Sequence, residues 1–164
     1  MKRLILMRHA KSDWSERDTS DHDRTLNQRG QESASAMGDW LRQNKLQPDH
    51  ILCSDAARTR ETLQRLNLGD VPSTFLRNLY LAESDVMAAA LRSRTEACIL
   101  MVAHNPGSAM LAEMLLAHAP DHPQFFKYPT CATLVVDFDI TDWRDLRLGT
   151  GKTIQFIVPR DITK

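Results

Sequence analysis

Cysteine is scarce: Cys53, Cys98 and Cys131 are the only three in 164 residues, each in an apolar, strand-like run. An odd, widely spaced set argues against a disulfide framework, and no CxxC pair suggests a metal clip, so the three read as buried free thiols. No apolar run is long enough to span a bilayer, and Leu4 to Met7 is too short for the core of an export signal. That reading leaves the chain in the cytoplasm with no membrane partner. Neither sign of charge dominates, since 21 basic residues balance 21 acidic ones, and bulk charge therefore recruits no partner. Aromatic residues make up only 6% and the arginines are spread along the chain, which speaks against a nucleic-acid surface.

What remains is a globular composition, 42% hydrophobic and 26% charged. The length suits one domain over residues 1–164, with no repeat, low-complexity tract or linker. Leu4–Met7, His50–Cys53 and Cys98–Ala103 read as strands buried on both faces, each followed by polar residues and a helical pattern, which points to a parallel α/β sheet. A first helix is predicted from about Asn27, with Ala34, Met37 and Leu41 inward, and a second after Ser54. A third follows Asn105 as N-cap and Pro106 at the first helical position, with Met110, Leu111, Met114 and Leu115 on one stripe. Ala132–Phe138 and Thr153–Val158 read as further strands completing the sheet at an edge. Lys11 to Thr25, crowded with polar residues, reads as an exposed, mobile loop.

In open parallel sheets ligands bind beyond the carboxyl ends of the strands. Those positions hold Arg8 and His9, Ser54 to Arg58, and His104 with Asn105. Two arginines, two histidines and helix N-termini make an anion site. Guanidinium forks suit the three equatorial oxygens of a phosphoryl group in transfer. A neutral imidazole aimed at phosphorus can take that group as a phosphohistidine, while a second, protonated histidine binds oxygen. The chemistry alone leaves open which histidine attacks, although flanking Arg8 favours His9.

The stretch Leu6-Met7-Arg8-His9-Ala10-Lys11-Ser12 resembles the signature of the histidine phosphatase superfamily, the phosphoglycerate-mutase-like group. Arg24 to Gly30 is similar to that family's Leu-Thr-x-x-Gly helix start. Ser54 to Thr62 resembles its Ser-Pro-x-x-Arg-x-x-Gln-Thr segment, with Asp55 where proline is common. Ala103-His104-Asn105-Pro106 is similar to the segment carrying the second histidine, and Leu79-Tyr80-Leu81-Ala82 matches the short SixA-like branch. The resemblance implies a three-layer α/β/α fold with a mainly parallel central sheet. It also implies His9 as nucleophile, and Arg8, Arg58 and His104 as the catalytic, substrate-binding pocket around it. Taken singly, each residue has a commonplace role as a turn, helix-face or capping group; their joint placement in family order is what carries the reading.

Larger branches of the family offer a glutamate as general acid from a longer insertion. This chain offers only Glu83, Asp13 or Asp23 for that role. An alkoxide needs protonation to leave and an imidazole leaves more easily, so a phosphohistidine on another protein, a phosphotransfer domain, is the leading substrate expectation. The SixA-like branch is associated with that reaction. Hydrolysis of a small phosphate ester is the alternative, and a non-catalytic phosphoprotein-binding module is the rival from another class. No cofactor and no metal are called for, since His22, His50, His118 and His122 read as surface or loop residues. The chain is treated as a monomer. Arg24 is balanced between contacting substrate and pairing with loop carboxylates, and Trp14 reads as an anchor of the loop to the core.

Overall fold

The structure, a computed structural model, describes residues 1–163. Six strands form one sheet: β1 (Lys2–Arg8), β2 (His50–Ser54), β3 (Ser73–Leu76), β4 (Cys98–Ala103), β5 (Thr133–Phe138) and β6 (Lys152–Ile157). Their spatial order is β3-β2-β4-β1-β5-β6. The first four are mutually parallel, and β5 runs antiparallel to both β1 and β6. The helices are α1 (Gln28–Gln43), α2 (Ala57–Leu66), α3 (Ser84–Arg92), α4 (Gly107–Leu115) and the short α5 (Pro159–Ile162).

The apolar run of β1 is explained by cover on both faces. Leu4 and Leu6 pack with Met87 and Leu91 of α3 and Leu111 and Leu115 of α4. Ile5 and Met7 point the other way, onto Met37 and Leu41 of α1 and Leu66 of α2. Period-two alternation thus divides one strand between two cores, and the result is the α/β/α sandwich with a mainly parallel sheet.

Local chemistry sets the helix starts. The Asn27 side chain accepts from the Gly30 backbone N–H at 2.8 Å and caps α1. Gly30 has no room for a side chain, because a Cβ would lie 2.1 Å from the Lys11 carbonyl oxygen. This close approach clamps α1 against the segment that follows β1.

Several expectations shift. Ser54 ends β2, and the helix expected after it, α2, begins at Ala57 with Ala56 at its N-cap. Pro106 is the N-cap of α4 and Asn105 lies outside it; the Asn105 amide donates to the Tyr128 carbonyl at 3.0 Å while its oxygen accepts from the Ala109 N–H. Met110 and Met114 are exposed, because the inward arc of α4 is filled by Leu111, Ala112 and Leu115. His50 is a buried strand residue bonded to Thr74 Oγ1 at 2.8 Å, not a surface group. Cys53 and Cys131 are buried and Cys98 half-buried, and all three are free thiols. Among the described residues no helix is long and apolar enough to cross a membrane.

Candidate active site

Strands β2, β4 and β1 are neighbours, so their carboxyl ends bring Ser54, His104 and His9 to one place. His9 follows β1 and is fixed through its backbone: its N–H donates to the Ala103 carbonyl at 3.0 Å and its carbonyl accepts from the Cys131 N–H at 2.9 Å. The next residue, fully buried Ala10, donates its N–H to Thr62 Oγ1 on α2 at 2.9 Å. The His9 ring is then oriented by Nδ1, which lies 2.7 Å from the Ala10 carbonyl. A carbonyl only accepts, so Nδ1 carries the proton and Nε2 keeps the lone pair.

That Nε2 faces Arg58, whose Nε–H donates to it at 3.3 Å from the first turn of α2. The His104 ring stands 5.2 Å from the His9 ring, centroid to centroid. Its Nε2 lies 2.7 Å from the Ser54 hydroxyl, and Nδ1 is buried without a partner among the described residues. Arg8 sends Nη1 to the Tyr128 carbonyl at 3.3 Å. The four residues share a cavity of about 280 Å³ whose mouth carries Trp14 and Leu81. Its floor is buried: His9, Arg58 and His104 are 6%, 5% and 1% exposed.

Burial governs the titration of both histidines. Desolvation pulls His9 down to about 4, only partly opposed by its bond to the Ala10 carbonyl. Desolvation, then the neighbouring His9 and Arg58, pulls His104 down to about 3. Both rings are therefore neutral near pH 7 in the free protein. A proton on His104 therefore belongs to the phosphate-bound state, since a buried ring beside two arginines has no reason to hold one in the free protein. Arg8 is lowered by burial and by Arg58, yet a guanidinium stays charged.

One residue at the site went unforeseen. Asp21, in the 3₁₀ turn Asp21–Asp23 of the loop after β1, accepts from Arg58 twice: its backbone carbonyl from Nη1 at 2.7 Å and its carboxylate from Nη2 at 3.0 Å. Tyr80 also donates its hydroxyl to the Asp21 carboxylate and presents its ring edge-on to His104 at 5.4 Å. The loop is thus fastened at the site. Its signal in the sequence was faint: Tyr80 belongs to a recognisable motif, whereas Asp21 is one of several loop carboxylates. Trp14 is not a core anchor, being 66% exposed, and the Arg24 guanidinium stacks on its ring at 4.0 Å. Arg24 pairs with no carboxylate among the described residues; Nη1 donates to the backbone carbonyls of Asp13 and Glu16.

Known proteins share this sequence pattern and fold. Residues 4–80 match the model of the histidine phosphatase superfamily, branch 1. An uncharacterised protein of Mycobacterium leprae is 31% identical over 163 residues, covering 94% of this chain and 100% of the relative. The chain belongs to the histidine phosphatase superfamily. Within it, a candidate phosphohistidine phosphatase SixA from Agrobacterium tumefaciens superposes with a TM-score of 0.79 at 26% identity, over 96% of this chain and 99% of that one. A second candidate SixA, from Nakamurella multipartitia, gives the same score and identity over 96% of each chain. Membership supports phosphatase activity and a SixA-like, phosphoglycerate-mutase-like fold.

None of the three carboxylates offered by the sequence borders the cavity. Asp13 is spent on the Ser15 N–H at 2.8 Å, Asp23 accepts from the Ser20 hydroxyl at 2.9 Å, and Glu83 is exposed at the N-cap of α3. Asp21 touches the site through Arg58 and Tyr80 without lining the cavity, and the Tyr80 hydroxyl and Arg58 hold it below the usual carboxylate range, so it is an anion at neutral pH. No three His, Cys, Asp or Glu side chains come together as a metal site among the described residues.

Proposed function

We propose that the protein is a phosphohistidine phosphatase in which His9 Nε2 takes the phosphoryl group covalently. The observation that carries the reading is the fixed tautomer of His9: a neutral ring with Nδ1–H bonded to the Ala10 carbonyl and Nε2 turned towards Arg58. Arg8 and Arg58 bind the equatorial oxygens and stabilise the charge that spreads over them in transfer. An arriving dianion exchanges with the Arg58 bond to Nε2 and draws a proton onto His104, because a neighbouring negative charge raises an imidazole's affinity for protons.

The first step breaks the P–N bond of the substrate phosphohistidine and forms a P–Nε2 bond to His9. The departing imidazole nitrogen takes its proton from solvent. In the second step water attacks phosphorus, the P–Nε2 bond breaks, and orthophosphate and free His9 remain. Neither step requires a carboxylic acid, which fits a cavity lined by no carboxyl group and an Asp21 that is ionised beside Arg58. A leaving alkoxide would need such an acid, an effect worth typically about 10² to 10⁴ in rate. The whole chain is read as one catalytic unit, supported by the single sheet whose strands β1, β2 and β4 end at the pocket.

The test offers the purified protein a phosphohistidine-bearing phosphotransfer domain and a panel of sugar and nucleotide phosphates, beside His9→Ala. Turnover of the phosphoprotein by the wild type alone supports the reading. Efficient hydrolysis of one ester with none of the phosphoprotein would overturn the substrate and leave the site standing.

A further inference from the structure

A second cavity, of about 240 Å³, adjoins the phosphoryl pocket and shares Lys11 and Thr130 with it. Three cations border it from three elements: Lys11 after β1, Arg29 on α1 and Arg160 on α5. Among the described residues none of the three has a carboxylate within ion-pair distance or a side-chain hydrogen bond. Many surface cations of the chain are likewise without a carboxylate, so what marks this groove is that three of them converge on one cavity beside the phosphoryl pocket. Nearby acids are engaged elsewhere: Asp161 accepts from the Val158 N–H and pairs with His122, and Glu32 accepts from Gln28.

Arg29 also stands in the first turn of α1, where the exposed N–H groups disfavour a positive charge. Helix stability therefore does not explain it. Between the cations the wall combines apolar Pro129, Val158 and Pro159 with the uncharged polar Ser33, Gln124 and Thr130, and no carboxylate lines it. Cations spaced over an uncharged floor suit a polypeptide with scattered carboxylates better than a single compact anion.

We infer that this groove binds acidic side chains flanking the phosphorylated histidine of a polypeptide substrate, so that the protein selects phosphohistidines in acidic surroundings. The inference rests on the phosphatase reading above for the position of the phosphoryl group, and on the groove for the charge. Lys11 borders both cavities, so Arg29 and Arg160 are the residues that separate the two roles.

The experiment uses two synthetic peptides phosphorylated on a single histidine by phosphoramidate, one flanked by Asp and Glu and the other by Asn and Gln, together with free phosphohistidine. Wild type should show a kcat/KM about tenfold higher on the acidic peptide at low salt, a preference that shrinks as salt is added. Arg29→Gln combined with Arg160→Gln should bring the two peptides to within about twofold and leave free phosphohistidine turnover unchanged. Equal wild-type rates on both peptides, a preference that survives the paired substitution, or an equal loss on free phosphohistidine would each overturn the inference. So would a wild-type preference for fructose 1,6-bisphosphate over the acidic peptide that the same substitutions remove, since it would give the groove to a small ligand. If the wild type hydrolyses no phosphohistidine at all, the phosphatase reading fails, and fluorescence anisotropy of the labelled, unphosphorylated acidic peptide judges the groove separately. Weaker binding by the substituted protein then supports it, and equal binding overturns it.

Discussion

Asp21 and Arg58, 37 residues apart, are joined twice: Arg58 Nη1 donates to the Asp21 backbone carbonyl and Nη2 to its carboxylate. Both outer nitrogens of the guanidinium are thus already engaged, and only Nε reaches His9. A phosphoryl oxygen that binds Arg58 must compete with Asp21. Asp21→Asn should therefore lower the inhibition constant of orthophosphate, by about two- to fivefold for a partly exposed ion pair. Competitive inhibition measurements check this, and weaker phosphate binding would instead mark Asp21 as the residue that aims Arg58.

Arg58 itself supplies charge and a planar fork. Arg58→Ala should reduce kcat/KM by about 10² to 10³, comparable to the loss of one oxyanion donor. Arg58→Lys should recover little, because an ammonium cannot present two parallel N–H donors to two phosphoryl oxygens in one plane. Steady-state kinetics on a phosphohistidine peptide decide the matter; full rescue by lysine would reduce the role of Arg58 to simple charge.

The two site histidines give a pH signature. In the folded protein His9 is pulled down to about 4 and His104 to about 3, against about 6.5 in an unfolded chain. Between those values the unfolded chain binds more protons, so stability falls as pH drops from about 6.5 towards 4. Urea unfolding across that window should show the loss, with a shallower slope in His104→Asn. Nitrogen NMR should find both rings neutral at pH 6 and His9 protonated on Nδ1. A His9 midpoint near 6.5 would contradict the account.

Gly30 should tolerate nothing larger. A Cβ there meets the Lys11 carbonyl oxygen at 2.1 Å, so Gly30→Ala must push α1 away from the segment carrying His9 and Ala10. A loss of about 1–3 kcal/mol in urea unfolding is expected, with a parallel fall in kcat/KM. Unchanged stability would mean the approach relaxes freely.

Sequence made the framework legible where burial is two-sided. β1, β2 and β4 announce themselves as apolar runs because helices cover both faces. β3 does not, since Ser73–Leu76 is an edge strand of alternating exposure with only β2 beside it. α4 was read with too wide an apolar stripe, because methionine is accepted equally in a core and on a surface, and Met110 and Met114 lie outside. His9, Arg58 and His104 were legible through their places at strand ends. Asp21 was not, because its importance comes from a loop folding back over 37 residues to reach Arg58, which no local pattern encodes. The neutrality of His104 likewise depends on burial and on the company of His9, properties of the assembled pocket.

The most direct test of the account is to trap the intermediate. Wild type mixed with a phosphohistidine peptide, quenched within milliseconds and digested under alkaline conditions should carry one phosphoryl group, labile to acid and stable to alkali. Mass spectrometry should map it to the peptide containing His9, and His9→Ala should carry none. Phosphate found on His104, or turnover by His9→Ala at the wild-type rate, would contradict the assignment of His9 as the nucleophile.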